Sequence, residues 1–461
     1  MNTKGKYLVR AASVLAALAC CSGVHAAEGD LYRAPLLPEF FGYVRTGIGS
    51  NSKGGDQVCF GLPQAGSKWR LGNECETYGE IGLGVDVFQA QAVKFNYKVM
   101  LDYLGGTNAG DEQNLVFDGS LAGTSGNGRR IGLRQNYVTV SGLGSGEYFN
   151  EMTVWMGKKY YQRHDVNAMD FYYWNNSGNG FGAENINVGF GRVSAAYIRT
   201  DNTTQPGDVS IPSETGNIVD LRLAKVAANP GGELEFGFDF RFADKLNSDT
   251  AAINANGQLY TIEHTQNNLW GGFNKFAVQY GNDAGARQGG NTYYFFTPQG
   301  AKLWRVVEQL VINPSNKFAM LSAFVFQSTK NDLAPDYQNW FSIGARPMWF
   351  WTDYLSSQFE LGYDQVKYKS GGPGVDGETG RLTKLSVLPL VIRPGTAAYS
   401  RPELRFFITW GWWNETANRA AAAFNSTPTQ PVVNLVGQFP QDYTAGVTNG
   451  RTIGAQVEAW W

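Results

Sequence analysis

The stretch VKFNYKVMLDY, residues 93–103, alternates between apolar and polar side chains along its whole length. The odd positions carry the mainly apolar set Val93, Phe95, Tyr97, Val99, Leu101 and Tyr103. The even positions carry the mainly polar set Lys94, Asn96, Lys98, Met100 and Asp102. Because successive side chains of a β-strand point to opposite faces, this pattern predicts a strand with one apolar and one charged face.

The same period of two recurs elsewhere in the chain. Residues 234–242 place leucine and phenylalanine at the even positions, opposite the acidic and basic residues of 233–241, and residues 80–87 repeat the pattern. A soluble β-sandwich also alternates, but its strands usually have about five or six residues. The segments here have about ten, which is the length of a tilted membrane-spanning strand.

Aromatic residues support a membrane barrel over a sandwich. They make up 14% of the chain and cluster at segment ends, as in residues 349–351 and 410–413, which suits the aromatic girdles of a membrane interface. The longest mature apolar run, residues 385–392, is interrupted by Ser386 and Pro389, so it is too short for a membrane helix. The sequence therefore predicts an all-β fold, a transmembrane antiparallel β-barrel.

Connections between the segments are of two kinds. Residues 229–232 (Asn-Pro-Gly-Gly) predict a tight turn, whereas residues 105–130 and 370–381 are long, glycine-rich and polar. In an outer-membrane barrel the short turns would face the periplasm. The chain ends in QVEAWW, residues 456–461, which resembles the terminal signal read by outer-membrane assembly machinery; an ordinary closing edge strand is the alternative.

The first 26 residues have the pattern of a secretory signal peptide. Lys4, Lys6 and Arg10 precede an apolar core at residues 11–21, and a small-residue cleavage site follows at residues 24–26. A lipoprotein signal ending at Cys20 is the weaker alternative, because the position three before it is not leucine. We expect a signal peptide over residues 1–26, a short N-terminal segment over 27–38 and a single barrel domain over 39–461.

Charge and cysteine content fit an exported protein. Removing the signal peptide leaves 35 Lys+Arg against 40 Asp+Glu, a net charge of −5, which gives no indication of a nucleic-acid partner. The mature chain keeps two cysteines, Cys59 and Cys75. In an oxidising compartment these predict one local disulfide, with two free thiols as the alternative.

Residues 160–180, YYQRHDVNAMDFYYWNNSGNG, place Arg163, Asp165 and Asp170 among aromatic residues. A pyranose ring has apolar C–H faces that lie against an aromatic ring, and hydroxyl edges that need charged or amide partners. The stretch therefore predicts a sugar path.

Several long sequence motifs resemble those of the maltoporin family of trimeric outer-membrane channels for maltodextrins. They lie at residues 42–49, 68–78, 161–174, 263–266, 272–276, 346–348, 362–364 and 456–461, so the resemblance covers nearly the whole mature chain. The resemblance implies a barrel of about 18 strands with a loop folded inward to constrict the pore. It also implies a homotrimer embedded in the lipid of a bacterial cell outer membrane.

The resemblance further implies a line of aromatic side chains along which maltodextrins move. Matched motif by motif, that aromatic track consists of Tyr43, Tyr78, Phe273, Trp351 and Trp460. Strand parity supports two of these positions, because Tyr78 is in phase with Glu80 and Trp460 is in phase with Glu458. For each aromatic residue, packing or interface anchoring is the alternative role.

A polar track is carried over in the same way. Its members are Arg45, Arg70, Glu80, Arg134, Arg163 and Asp170, with Tyr172 as the constriction tyrosine. The planar fork of arginine can donate to two neighbouring hydroxyls, and a carboxylate accepts the protons that arginine cannot, so sugar hydroxyls would exchange partners along the path. A surface ion pair is the alternative role for any one of these charges.

Two features depart from the family pattern. Residues 105–130 contain Phe117 as their only aromatic residue, so the track aromatic that a neighbouring subunit contributes has no clear equivalent. Asn167 and Asn175 stand where characterised maltoporins carry a histidine and an acidic residue. Related sucrose porins replace the constriction arginine and tyrosine, whereas Arg163 and Tyr172 are both present, which favours maltodextrin over sucrose.

The predicted function is passive diffusion of maltose and maltodextrins, without a cofactor or metal. The alternatives are a porin for another oligosaccharide such as sucrose, and a general diffusion porin without a sugar site. An enzyme is not predicted: no G-x-S-x-G word occurs, and Glu80 with Asp170 as a glycosidase pair would sit in a wet lumen. Phages use exposed loops of such porins as receptors, and the long loops here offer that role.

Overall fold

The computed structural model describes residues 38–106, 130–201, 215–243, 256–287, 300–330, 337–368, 375–425 and 446–461. The predicted signal peptide, almost all of the N-terminal segment, most of the loop 105–130 with Phe117, and part of the loop 370–381 lie outside these ranges. No helix among the described residues is both long and apolar enough to cross a membrane.

Within the described ranges, β-strands dominate. They are β1 (Glu39–Asn51), β2 (Glu76–Ala90), β3 (Val93–Gly106), β4 (Arg130–Ser141), β5 (Thr153–Lys159), β6 (His164–Val166), β7 (Phe171–Trp174), β8 (Gly178–Asn187), β9 (Arg192–Asp201), β10 (Thr215–Asn229), β11 (Gly232–Ala243), β12 (Gly257–Leu269), β13 (Gly272–Asn282), β14 (Lys302–Ser315), β15 (Phe318–Lys330), β16 (Tyr337–Phe350), β17 (Leu355–Tyr368), β18 (Thr379–Ile392), β19 (Glu403–Trp413) and β20 (Asn449–Trp460). One α-helix, α1 (Glu415–Asn425), follows β19, and 3-10 turns span Asn167–Met169 and Asp283–Arg287.

All of these strands except β6 and β7 form one antiparallel sheet of 18 strands in the described part of the chain. Each strand pairs with its sequence neighbour in the sheet, and β1 pairs with both β2 and β20. The first and last strands therefore close the sheet into a barrel without a free edge. The barrel and its strand number are confirmed.

The burial pattern of the wall is the reverse of a soluble core. Side chains that point inward are charged or polar and buried, such as Asp220, Arg305 and Glu360, whereas Ile262 and Trp304 point outward and are exposed. The predicted apolar and charged faces of residues 80–103 and 233–242 are thus the outer and inner faces of the wall. An apolar exterior of this kind suits contact with lipid.

Among the described residues, two connections between wall strands fold into the lumen. The first inward segment, residues 57–75, connects β1 to β2, and the second inward segment, residues 160–177, connects β5 to β8 and contains the small β6–β7 hairpin. They are joined to each other because the Lys68 and Arg70 amides donate to the Met169 and Ala168 carbonyls at 2.9 and 3.1 Å. The sequence predicted one constricting loop without locating it, whereas these two inward segments both lie in the described part of the chain.

Glycines in the wall admit the largest side chains of these segments. A Cβ atom at Gly362 of β17 would collide with the ring of Trp69, and one at Gly237 of β11 would collide with Trp174. Both tryptophans are fully buried. The close approach of the inward segments therefore depends on glycine at these wall positions.

The Cys59–Cys75 disulfide closes the first inward segment at both ends. This confirms the sequence prediction of one local bridge. In the chain-entropy model, closing a loop of this size stabilises the folded state by roughly 3 kcal/mol. The bridge thus stabilises the folded conformation of the first inward segment by holding its two ends together.

Candidate ligand path through the barrel

Three aromatic side chains form a row on the inner wall where the first and last strands meet. Tyr43 of β1 lies with its ring centroid 6.0 Å from that of Tyr78 of β2, and 6.4 Å from that of Trp460 of β20. The Tyr43 and Trp460 rings are nearly parallel, at 13°, and the two residues face each other in the strand register. We call these three residues the aromatic row.

Phe273 and Tyr399 form a separate stacked pair. Their ring centroids are 6.5 Å apart at an interplanar angle of 16°. Phe273 is an inward residue of β13, and Tyr399 belongs to the connection between β18 and β19. Phe273 was predicted from the sequence but Tyr399 was not, because a residue in a connection carries no strand parity.

Trp351 lies apart from both groups. It follows the last residue of β16 and is 59% exposed. Its ring centroid is 6.3 Å from that of Trp349, and its indole nitrogen donates to Ser357 at 2.9 Å. Among the described residues, no ring contact connects Trp351 with the aromatic row.

Charged side chains surround the aromatic row. Arg70 of the first inward segment donates to the Tyr43 hydroxyl at 2.6 Å and to Glu458 at 2.7 Å. Arg45 donates to Glu74 at 2.9 Å, and its guanidinium lies 5.2 Å from the centroid of the Tyr78 ring. The row is therefore bordered by guanidinium groups that are held in place by buried carboxylates.

Two further arginines complete this border at Trp460. Arg401 lies with its guanidinium 4.2 Å from the Trp460 centroid and pairs with Glu458 at 2.9 Å, and Arg405 pairs with the same carboxylate. Neither arginine was predicted from the sequence. Strand alternation in β19 would have placed Arg405 inward next to Glu403, whereas Arg401 precedes the strand and carries no periodic signal.

Glu80 links the wall to the second inward segment. Its carboxylate accepts hydrogen bonds from the Tyr78 hydroxyl at 2.6 Å and from the Tyr160 hydroxyl at 2.7 Å. Arg134 of β4 pairs with Asp102 at 3.0 Å, and its guanidinium lies 6.0 Å from the Tyr78 centroid. Tyr160 was not predicted as a site residue, although it begins the aromatic stretch of residues 160–180.

The Arg163 guanidinium lies between two tyrosine rings. It is 3.5 Å from the Tyr160 centroid and 4.8 Å from the Tyr172 centroid. Burial raises the pKa of Tyr172 to about 12, although the charge of Arg163 acts in the opposite direction. The Tyr172 hydroxyl is therefore protonated at neutral pH and able to donate a hydrogen bond.

Asp170 is ion-paired across the two inward segments. Lys68 of the first segment lies 2.9 Å from its carboxylate, and Arg45 lies at 4.0 Å. Burial acts to raise the pKa of Asp170, but Lys68, Arg70 and Arg45 outweigh it and hold this pKa well below its usual range. Lys68 lies two positions before Arg70 in residues 68–78, which carry part of the family resemblance, but its role depends on a contact that the sequence does not reveal.

The two asparagines that depart from the family pattern also lie in the second inward segment. Asn167 begins the 3-10 turn that ends before Asp170. The Asn175 side-chain carbonyl accepts from the Ser177 amide at 3.1 Å and from its hydroxyl at 2.6 Å. The Asn175 carbonyl is thus engaged within its own segment.

Chemically, this part of the lumen combines rings in series with paired charges. Ring faces can contact apolar C–H surfaces, and the guanidinium, carboxylate and tyrosine hydroxyl groups can exchange hydrogen bonds with a polyhydroxylated ligand. The charged side chains already pair with one another. A neutral ligand can therefore form hydrogen bonds with each of them in turn, and no charge is left without a partner.

A closed barrel with a polar interior, an apolar exterior and inward segments that narrow the lumen has the architecture of an outer-membrane porin. The LamB porin family model matches residues 39–461, and the chain belongs to this family. Family membership confirms the resemblance drawn from the sequence and the predicted bacterial outer-membrane location. Family and fold point to a channel rather than to an enzyme.

The solved structures that match this chain share little of its sequence. OccAB2 of Acinetobacter baumannii is 9% identical with a TM-score of 0.48, covering 94% of this chain and 100% of that one. OprD of Pseudomonas aeruginosa is 9% identical with a TM-score of 0.45, covering 94% and 99%. An anion-selective porin from Comamonas acidovorans is 10% identical with a TM-score of 0.44, covering 92% and 99%.

Proposed function

We propose that this porin carries maltose and maltodextrins across the outer membrane by passive diffusion down their gradient. The observation that supports this most is the aromatic row Tyr78–Tyr43–Trp460, in which the central Tyr43 ring lies 6.0 Å from Tyr78 and 6.4 Å from Trp460 between centroids. A general diffusion porin needs no such row. A glucan chain, in contrast, presents repeated apolar faces that rings in series can contact one after another.

The polar groups around the row support the same proposal. Arg45, Arg70 and Arg401 border the rings, and Glu458 accepts from two of these three arginines. Such a border supplies both donors and acceptors for sugar hydroxyls. Each contact must stay weak, because deep binding at one position would hold the sugar in the channel.

Phe273 and Trp351 belong to the proposed track in different ways. Phe273, stacked on Tyr399, offers a second ring surface elsewhere on the inner wall. Trp351 lies in the turn that follows β16, and its ring is next to that of the outward-facing Trp349. Any sugar contact of Trp351 would therefore be at the mouth of the channel. Glu80, Arg134, Arg163, Asp170 and Tyr172 are proposed as the polar partners of the constriction.

The assembly is proposed to be a homotrimer, as the maltoporin resemblance implies. A phage-receptor role is proposed on the same resemblance, and most of the loops concerned lie outside the described residues. A glycosidase based on Glu80 and Asp170 is disfavoured, because the pKa of Asp170 is held low by three neighbouring cations. A general acid needs the opposite shift.

Liposome swelling tests the proposed specificity. Maltose and sucrose have the same mass, so a general diffusion porin should pass both at equal rates. We expect proteoliposomes to swell several-fold faster in maltose than in sucrose, and maltohexaose incubated with the protein to yield no new reducing ends. Equal swelling rates would contradict the sugar site, and new reducing ends would indicate hydrolysis.

A further inference from the structure

A compact group of side chains with the chemistry of metal ligands joins the second inward segment to the barrel wall, away from the aromatic row. It consists of His164 at the start of β6, Glu235 of β11 and Glu263 of β12. One ligand atom from each residue lies within 4.8 Å of the other two. The His164 Nδ1 atom is 2.9 Å from Glu263 Oε2, and its Nε2 atom is 3.7 Å from Glu235 Oε2.

Neighbouring residues orient both carboxylates toward the imidazole. Lys275 lies 3.5 Å from Oε1 of Glu263, and Arg222 lies 3.6 Å from Oε1 of Glu235. In each case the other carboxylate oxygen, Oε2, is the one that faces His164. Outer partners of this kind fix the direction of a ligand side chain, as they do in established metal centres.

The donor set indicates the class of ion. One imidazole nitrogen and two carboxylate oxygens suit a divalent transition ion, and three protein ligands with a remaining open position are typical of accessible Zn²⁺ sites. We propose that His164, Glu235 and Glu263 bind a Zn²⁺-like divalent ion. Lys275 and Arg222 reduce the net negative charge of the site, so we expect micromolar affinity, weaker than that of a structural zinc.

Access and position fit this assignment. The side chains of His164 and Glu235 are 11% and 18% exposed, whereas that of Glu263 is 2% exposed. An ion in the lumen can therefore reach the two outer ligands while the third anchors it. Because the ligands come from the second inward segment and two wall strands, the ion would fix the segment to the wall and raise the unfolding temperature of the protein.

Isothermal titration of the untagged, purified protein with ZnCl₂ at neutral pH tests the site. We expect one saturable Zn²⁺ per chain and no equivalent response to MgCl₂. His164→Asn should abolish this binding, and Glu235→Gln should weaken it by about tenfold or more. His264→Asn is the matched control, because His264 is a half-buried residue of β12 that contacts Asn229 instead.

Folding of each variant is checked by its heat-modifiable gel mobility, and Glu235→Gln provides a second test if His164→Asn does not fold. The site would be refuted if the wild-type protein shows no saturable Zn²⁺ binding, if His164→Asn or Glu235→Gln binds as tightly as wild type, or if His264→Asn removes the binding. The titration contains no sugar, so its outcome is independent of the proposed transport function.

Discussion

Replacing Trp460 with alanine should weaken maltohexaose binding by about 1 kcal/mol or more, roughly fivefold in Kd, because one stacked aromatic contact is lost. Tyr43→Ala should have an effect of the same size, since Tyr43 stacks on Trp460 and also contacts Tyr78. Ion conductance should stay similar or rise, because each change removes a large side chain and so widens the lumen. Sugar-dependent block of single-channel current measures both quantities.

Matched variants separate the ring contact from other effects. The Tyr43 hydroxyl donates to Glu458 at 2.9 Å and accepts from Arg70 at 2.6 Å, so Tyr43→Phe removes these bonds while keeping the ring. We expect Tyr43→Phe to retain most of the sugar affinity. Trp304→Ala is a control on the outer face, where the side chain is 54% exposed, and it should leave sugar block unchanged. Unchanged affinity in both Trp460→Ala and Tyr43→Ala would contradict the aromatic row as a sugar path.

Replacing Glu458 with glutamine should destabilise the folded barrel by about 3 kcal/mol, the scale of removing one partner from a buried charge network. Glu458 is 1% exposed and pairs with Arg70 at 2.7 Å, with Arg401 at 2.9 Å and with Arg405. Arg70 keeps Glu74, and Arg401 and Arg405 keep Glu403, but the neutral amide leaves an excess of buried positive charge.

Equilibrium unfolding in guanidinium from lipid vesicles measures this loss. Glu151→Gln is the control, because Glu151 pairs with Arg192 at 3.1 Å but its side chain is 51% exposed. An exposed pair of this kind contributes at most about 1 kcal/mol, so the control should unfold close to wild type. Equal stabilities for Glu458→Gln and Glu151→Gln would show that the network around Glu458 does not stabilise the barrel.

The wall of the barrel could be predicted because a strand carries its orientation in its sequence. Tyr43 and Arg45, or Tyr78 and Glu80, are two residues apart on one strand, so a period of two is enough to place each pair on the same face. The strand length indicated a membrane protein, so the apolar face of each strand could be assigned to the lipid. The same alternation then predicted charged residues inside the barrel and apolar residues outside.

The interior of the lumen could not be predicted in the same way. Lys68 pairs with Asp170 across two segments without regular alternation, and Arg70 meets Glu458 across a separation of 388 residues. Such contacts depend on how the inward segments cross the barrel, and that course is set by packing, as with Trp69 against Gly362. Tyr399 and Arg401 lie in a connection, where local sequence gives no orientation.

Single-channel conductance of the purified wild-type protein in a planar bilayer, titrated separately with maltohexaose and sucrose, tests the central claim most directly. A sugar-specific trimer predicts closure in three steps, saturable block by maltohexaose at micromolar to millimolar concentration, and weak block by sucrose. Steady conductance in the presence of both sugars would contradict the account, because the aromatic row and its charged border would then line a channel that does not bind maltodextrin.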